Sequence, residues 1–172
     1  MSLADPQVQQ CRKNKILPNG KLLHDHANLF FHARNPMLYK RIDPKQHAGK
    51  PGLLDDICVC KVSPQVMKEN EVWVTDFNAA SSGVCYYPVD EGIMRLDYAL
   101  VFAKSWTALD INEQSRRKKI KSAEVLIHKK VPPHLILGVY VGSQSAFDSV
   151  TKILTETQKN VSVALNKDLF FQ

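Results

Sequence analysis

Short runs of β-branched and aromatic residues recur along this chain, and full-length helices rarely separate them. The runs lie at residues 27–31, 57–62, 72–75, 123–127, 135–141 and 161–171. Runs of this length and composition predict strands, and the short helices or turns between most of them leave few regular strand–helix–strand units. We therefore expect an α+β fold with mixed, mainly antiparallel sheets and short helices, rather than a doubly wound parallel sheet.

Besides a short helix at residues 63–69, between two of the predicted strands, helical segments are predicted at three places. A short basic helix fits between Pro6 and the turn that begins at Pro18, apolar residues recur at near-helical spacing over residues 93–106, and a third helix follows Ser145. The polar and basic residues 110–121 between them are expected to be exposed surface. The prolines and glycines of residues 40–52 predict a surface loop.

The prolines at positions 132 and 133 interrupt the chain between two predicted strands, residues 123–127 and 135–141. Proline cannot continue a helix, so we expect a hairpin or a corner at this point. No internal repeat and no glycine-rich phosphate loop is visible, so neither a P-loop nor a Rossmann site is indicated. At 172 residues the chain is expected to form a single domain over residues 1–172.

The chain carries a formal net charge of +6 and has a pI of about 9.1. A positive surface favours a polyanionic partner such as nucleic acid. An acidic protein partner, or a basic surface without a specific partner, is equally compatible with charge alone. Long apolar runs and a signal-type N-terminus are both missing from the sequence, which predicts a cytoplasmic protein without a membrane segment.

The four cysteines are Cys11, Cys58, Cys60 and Cys85, and no pair has the two-residue spacing of zinc knuckles or redox motifs. Cys58 and Cys60 flank one valine in an extended run, which turns both thiols to the same face of a strand. We expect buried, reduced cysteines and no metal site.

Glu124 is the most suggestive acidic residue, because it follows a cationic run, residues 116–121, and begins an apolar strand. The two-residue repeat of a strand places Glu124 on the same face as Leu126 and His128. A carboxylate in a cleft can stabilise a developing positive charge or accept a proton. The alternative is an exposed acid that balances Lys121 or Lys129, and residue type alone favours that alternative.

A second suggestive region lies between residues 24 and 39, where histidines, aromatic residues and Arg34 occur close together. These residue types can stack on a planar ring and pair with a phosphate. His24, His26 and His32 are also the only cluster of histidines. Because no nearby cysteine or carboxylate pattern completes a metal site, ordinary core or surface histidines are favoured over ligands.

Motifs from both regions recur in one order along the chain. They are Leu23-His24-Asp25, an aromatic strand running into Arg34-Asn35-Pro36-Met37-Leu38, Val74-Thr75-Asp76 with Asn78-Ala79, Leu96-Asp97-Tyr98 with Trp106, the basic run with Ala123-Glu124-Val125-Leu126, and a closing segment at residues 166–171. In this order they resemble the DarT family of DNA ADP-ribosyltransferase toxins over nearly the whole chain. The resemblance implies a DarT-like ADP-ribosyltransferase fold, in which residues 166–171 form the closing strand.

The resemblance also implies an NAD-dependent enzyme that transfers ADP-ribose to a base, characteristically thymine, in single-stranded DNA. NAD is then a co-substrate, and no metal is needed. Glu124 matches the family's catalytic glutamate, and Arg12 matches the arginine that contacts NAD near the reacting centre. Further NAD contacts are expected from His24, Phe30, Arg34 and Met37.

The acceptor DNA is expected to contact a loop at residues 78–87 and the segment 106–121. The candidate contacts are Asn78, Trp106, Arg117, Lys118 and Lys121. A core tryptophan and solvated charges are the alternatives for these residues. The resemblance further implies single-stranded DNA as a partner and a macrodomain antitoxin of the DarG type as another.

The family pattern includes a His-x-Thr segment that binds the nicotinamide end of NAD, and nothing of that kind precedes Arg12. This difference predicts an N-terminally incomplete DarT-like domain or, as the alternative, a divergent branch whose NAD pocket is completed otherwise or not at all. The alternative function is a non-catalytic remnant of the same fold that binds single-stranded nucleic acid. A third hypothesis is a metal-dependent nuclease using Asp55, Asp56, Glu124 and Lys121.

Overall fold

The computed structural model describes residues 6–43 and 54–171, and the chain divides into two compact units. The first unit is formed from Met1–Met37 and Met67–Val131, and the second from Leu38–Val66 and Pro132–Gln172. The expectation of one domain over residues 1–172 stays a prediction. Most of the loop predicted at residues 40–52 lies outside the described residues, although its first three residues are helical.

The described elements are α1 (Pro6–Asn14), β1 (His26–Phe30), α2 (Pro36–Ile42), β2 (Cys58–Val62), β3 (Val72–Thr75), β4 (Tyr86–Pro88), α3 (Val89–Arg95), α4 (Tyr98–Val101), α5 (Ile111–Ile120), β5 (Glu124–His128), β6 (Ile136–Val141), α6 (Gln144–Glu156) and β7 (Ser162–Leu165). Short 3-10 helices occupy Leu23–Asp25, Pro64–Lys68, Pro133–Leu135 and Lys167–Phe170. The α+β class is confirmed. Among the described helices, none is long and apolar enough to cross a bilayer.

The first unit contains a four-stranded antiparallel sheet in the order β1-β5-β3-β4. On one face, Leu126 packs with Leu17, Leu23 and Ala79. On the other face α3 lies close to β3, because a Cβ added at Gly92 would stand 2.4 Å from the Cβ of Val74. Within this sheet β5 is an interior strand, flanked by β1 and β3.

The second unit contains a three-stranded sheet in the order β2-β6-β7. The β2 and β6 strands are antiparallel, whereas β6 and β7 are parallel and are joined by α6. A parallel pair requires such a crossover. Val139, Val141 and Ala146 form the core between this sheet and α6. The remaining strand pairs described in the chain are antiparallel, which confirms the prediction of mainly antiparallel sheets.

The prediction of one helix over residues 93–106 is wrong. The chain forms α3 and α4 instead, because Leu96 is extended and the Asp97 carboxylate caps α4 by accepting a hydrogen bond from the Leu100 amide. Aspartate favours a cap over a helix interior. Residues 110–121, which were predicted to be exposed surface, contain α5. The Asp110 carboxylate caps this helix by accepting a hydrogen bond from the Glu113 amide.

The C-terminal part differs from the prediction in three details. Ser143, not Ser145, caps α6, and its hydroxyl accepts a bond from the Ala146 amide. The prolines do not form a hairpin, since β5 and β6 belong to different sheets. The segment implied as a closing strand at residues 166–171 is mainly the 3-10 helix Lys167–Phe170, capped by Asn166.

The prediction of buried cysteines is also wrong. Cys11, Cys58, Cys60 and Cys85 are all free and exposed. Cys58 and Cys60 are exposed because their strand, β2, lies at the edge of its sheet and pairs with β6 alone among the described strands.

Candidate active site

Glu124 is the first residue of β5 and is completely buried. Its neighbours across the sheet are Phe30 on β1 and Thr75 on β3. The backbone amide of Glu124 donates to the side-chain hydroxyl oxygen of Thr75 at 3.0 Å. The strand register places Glu124 on the face of Leu126 and His128, as the two-residue repeat predicts. The acid is therefore held inside the unit and does not serve as a solvated surface charge.

The two carboxylate oxygens of Glu124 have different surroundings. Oε1 accepts hydrogen bonds from the Asn78 side-chain amide at 2.5 Å and from the Ala79 backbone amide at 3.4 Å. Oε2 lies 3.7 Å from Nη1 of Arg12 and has no hydrogen-bond partner among the described residues, although it is buried. Buried polar atoms are nearly always hydrogen-bonded, so a buried carboxylate oxygen that faces a cation without a hydrogen-bond donor has acceptor capacity left for a ligand.

Arg12 on α1 supplies the positive charge beside that oxygen. Its side chain is 8% exposed, and its Nη2 donates to the backbone oxygens of Leu23 at 3.3 Å and His26 at 3.2 Å. These two bonds fix the guanidinium, so that Nη1 points toward Glu124. A cation held in this way can orient an anionic substrate without further rearrangement.

Burial raises the pKa of Glu124 to about 7, against the opposing effects of the Arg12 charge, the Ala79 amide, and the Asn28 and Asn78 side chains. A carboxyl group with this pKa is about half ionised at neutral pH. It can therefore accept a proton and, once ionised, stabilise positive charge nearby.

The loop at residues 78–87 is tied down close to Glu124. The Tyr86 hydroxyl donates to the Ala79 carbonyl oxygen at 2.5 Å, and Lys15 donates to the Ser81 carbonyl oxygen at 2.6 Å. Asn78 also accepts a bond from the Ala80 amide through its own side-chain oxygen. These contacts hold the Asn78 amide nitrogen and the Ala79 N–H where both reach Oε1.

The candidate NAD contacts are only partly brought together. Phe30 stands directly opposite Glu124, whereas His24 lies exposed on the 3-10 helix Leu23–Asp25. Arg34 donates through Nε to the Lys104 carbonyl oxygen at 3.4 Å, and Met37 on α2 is 43% exposed. Phe30 and Arg12 are thus the members of this group that adjoin the carboxylate.

The candidate DNA contacts fall into different environments. Arg117 and Lys118 lie on α5, where Arg117 donates to Glu113 at 2.7 Å and Lys118 is exposed. Trp106 is half-buried between α4 and α5. Asn78 points at Glu124, as described above. Lys118 is therefore exposed and Arg117 partly exposed on α5, whereas the basic residue that follows α5 is not.

Lys121 is that residue, and it is 2% exposed. Its ammonium group donates to the carbonyl oxygens of Val101, at 3.1 Å, and Ala103. Burial lowers the pKa of Lys121 to about 8, with a further contribution from the nearby charge of Arg34. In this position the amine supports the end of α4 rather than facing solvent.

The histidines show no metal-like arrangement. The described residues contain no group of three or more histidine, cysteine, aspartate or glutamate side chains that could hold a metal ion. His26 bonds through Nδ1 to the Leu22 carbonyl oxygen, and burial lowers its pKa. Its Nε2 is buried and lacks a hydrogen-bond partner among the described atoms.

Sequence reasoning missed three contributors to this site: Thr75, the Ala79 amide and Asn28. Asn28 offered a signal, since an amide side chain inside a strand is unusual and lies two residues before Phe30. The Ala79 amide offered none, because a backbone group has no signature in the sequence.

The chain matches the family described as "ssDNA thymidine ADP-ribosyltransferase, DarT" over residues 1–171. A protein of Thermosipho africanus (strain H17ap60334), a DNA ADP-ribosyl transferase–DNA ADP-ribosyl glycohydrolase fusion protein, is 29% identical over 167 residues. That alignment covers 97% of this chain and 40% of the fusion protein. The chain therefore spans well under half of that relative.

Two solved structures of a Thermus protein are similar in fold. Thermus sp. 2.9 DarT in complex with ADP-ribosylated ssDNA has a TM-score of 0.83 and 26% identity, covering 99% of this chain and 81% of that one. The same protein in complex with NAD+ has a TM-score of 0.77 and 25% identity, covering 98% of this chain and 84% of that one.

Proposed function

The chain belongs to the DarT family of single-stranded-DNA thymidine ADP-ribosyltransferases, and from this premise we propose that it transfers ADP-ribose from NAD to thymine in single-stranded DNA. The observation that carries the proposal is the buried Oε2 of Glu124, which lacks a hydrogen-bond partner among the described residues and lies 3.7 Å from Arg12. The Thermus relative, whose structures contain NAD+ and ADP-ribosylated DNA, supports the choice of substrates.

The residues at this position fit an NAD substrate. Transfer breaks the bond between nicotinamide and the ribose, which develops positive charge on the ribose. Oε2 of Glu124 would accept a hydrogen bond from a ribose hydroxyl and stabilise that charge. Arg12 would pair with the diphosphate, because its guanidinium is already held by two backbone carbonyls.

Glu124 would also act on the acceptor. The attacking nitrogen of thymine carries a proton that must leave as the new glycosidic bond forms, and nicotinamide departs with the electrons of the broken bond. A carboxylate with a pKa of about 7 is well matched to accept this proton at neutral pH. Phe30, directly across the sheet from Glu124, is a candidate to pack against the nicotinamide or the base.

For the DNA backbone, we assign phosphate contacts to Lys118, which is exposed on α5, and to Arg117, which is partly exposed beside it. Asn78 is assigned to Glu124 instead of DNA, because its amide donates to Oε1. We assign no DNA contact to Lys121, because its buried amine already donates to two backbone carbonyl oxygens. His24, Arg34, Met37 and Trp106 remain candidate contacts to NAD or DNA.

We further propose a biological role, a partner and a cellular location. The relative from Thermosipho africanus joins a transferase to a DNA ADP-ribosyl glycohydrolase in one protein. By analogy we propose that this chain acts as a toxin and that a macrodomain antitoxin of the DarG type removes its product. We also propose a cytoplasmic location, because both NAD and DNA are present in the cytoplasm of a cell without a nucleus.

The test is a transfer assay with NAD labelled in its adenylate part. Single-stranded oligonucleotides containing thymine are compared with oligonucleotides in which every thymine is replaced by cytosine, and with duplexes of the same sequence. Label is expected on thymine-containing single strands alone, and Glu124→Gln is the matched inactive control. Binding of single-stranded DNA without any transfer would contradict the proposal and favour a non-catalytic DNA-binding protein.

A further inference from the structure

Two free thiols lie side by side on β2, in the second unit and outside the site just described. Cys58 and Cys60 alternate around Val59, and their partners across the sheet are Val141 and Val139. Alternation along a strand places both thiols on one face. Each is exposed, and neither is in a disulfide.

The surroundings leave this pair accessible. On the face that carries the thiols, α6 packs over β6 and β7 through a cluster that includes Val139, Val141 and Ala146. The β2 strand lies at the edge of that sheet, and both of its cysteines remain exposed. A small reagent dissolved in water can therefore reach either sulfur.

The two thiols interact with each other. A hydrogen bond from Cys58 lowers the pKa of the Cys60 thiol to about 6, while the same contact raises the pKa of Cys58. Cys60 is thus the better thiolate of the pair, and Cys58 keeps its proton. Redox-sensing cysteines share three features, namely a low pKa, exposure, and a second cysteine in reach that resolves the first oxidation product.

We propose that Cys58 and Cys60 form a redox dithiol that a peroxide converts reversibly into a disulfide within the strand. The Cys60 thiolate attacks one peroxide oxygen, which cleaves the O–O bond and, with a proton from water, gives a sulfenic acid and one water molecule. The Cys58 sulfur then attacks the Cys60 sulfur. The S–O bond breaks, the hydroxyl leaves with the Cys58 proton as a second water molecule, and the two thiols have lost two electrons to the peroxide.

Strand geometry makes this disulfide easy to reduce. Residues two apart on an extended strand have Cα atoms about 6.6 Å apart, close to the upper limit of about 6.8 Å for disulfides. Their Cβ atoms are about as far apart, beyond the usual distance of about 3.5–4.5 Å in a disulfide, so the edge strand must bend locally to close the bond. The bond is therefore strained, and strained, exposed disulfides are readily reduced by small thiols. The pair is suited to a reversible modification and not to a permanent crosslink.

The experiment treats the full chain with hydrogen peroxide at pH 6, blocks the remaining thiols with N-ethylmaleimide, and measures peptide masses. Cys58 and Cys60 fall on one tryptic peptide, which ends at Lys61. We expect a loss of two hydrogens on this peptide, reversed by glutathione. At this pH about half of the Cys60 thiol is ionised, and after allowance for the weaker nucleophilicity of a low-pKa thiolate it should react about tenfold faster than an ordinary thiol.

Two variants separate the proposed roles, and the lone exposed thiols Cys11 and Cys85 serve as internal controls. Cys58→Ser should stop at the sulfenic acid of Cys60, detected as a dimedone adduct, whereas Cys60→Ser should react at the rate of the control thiols. Oxidation of Cys11 or Cys85 as fast as the pair would overturn the proposal. So would formation of disulfides between two chains in place of the internal one.

Discussion

Replacing Asn78 with alanine is expected to shift the pH dependence of ADP-ribose transfer toward alkaline pH. The Asn78 amide donates to Oε1 of Glu124 at 2.5 Å and so favours the ionised carboxylate. The proposed mechanism of transfer requires that ionised form. Removal of the donor leaves Glu124 buried with less support for its charge, which raises the pKa of Glu124 further above its ordinary value.

The size of the effect follows from the hydrogen bond that is lost. A hydrogen bond to a charged group contributes about 1.5–3 kcal/mol, and 1.36 kcal/mol corresponds to one pKa unit, so the pKa of Glu124 should rise by about one to two. Since the pKa in the wild type is about 7, the ionised fraction at pH 7 falls from about one half to a few per cent. Transfer should be about tenfold slower at pH 7 and nearly normal at pH 9.

The assay measures kcat/KM for NAD between pH 5.5 and 9.5, because this constant reports the ionisation of the free enzyme. Asn70→Ala, at an exposed asparagine, is the matched control and should leave the profile unchanged. If the Asn78→Ala profile keeps its wild-type midpoint while the KM for DNA rises, Asn78 contacts the nucleic acid and the positioning role is refuted.

Three further predictions concern the same unit. The pKa of Glu124 in the fold, about 7, exceeds its ordinary value of 4.5. The stability that this residue contributes is therefore complete below pH 4.5 and is lost as pH rises through 7. In urea unfolding, Glu124→Gln should be more stable than the wild type by about 3 kcal/mol at about pH 8 and equal to it at about pH 4. Arg12→Lys should raise the KM for NAD at least about tenfold in steady-state kinetics, since lysine cannot hold two carbonyls and face Glu124 at once; an unchanged KM would exclude the proposed diphosphate contact. Gly92→Ala should destabilise the chain by about 1–3 kcal/mol in thermal unfolding, because its Cβ would collide with Val74; a wild-type melting temperature would show that α3 can move away at little cost.

The sequence predicted much of the sheet that holds the site, because Glu124 leads directly into an apolar run of strand-forming residues. The two-residue repeat of strand geometry then correctly placed Glu124 on the face of Leu126 and His128. It did not predict burial, since an acid at the start of a strand is more often exposed. Burial here results from segments distant in the sequence, since Arg12, Asn78 and Ala79 surround the carboxylate.

Other features could not be predicted because they depend on contacts between distant residues. Arg12 and Glu124 are 112 positions apart, and only the resemblance to a family linked them before the structure did. The helix predicted over residues 93–106 failed because the sequence there contains no proline or glycine to mark the break at Leu96 and Asp97. Lys121 was assigned to the surface with its basic neighbours, yet it follows the last turn of α5 and reaches two carbonyls of the preceding segment.

The central claim is that the carboxylate of Glu124, through Oε2, carries the chemistry of transfer. Single-turnover transfer of ADP-ribose to a thymine-containing single strand, compared between the wild type and Glu124→Gln at pH 8, tests it most directly. Glutamine keeps the shape of the side chain but can neither accept the proton nor carry the charge, so the rate should fall by about 10³-fold or more. A rate within a few-fold of the wild type would contradict the claim.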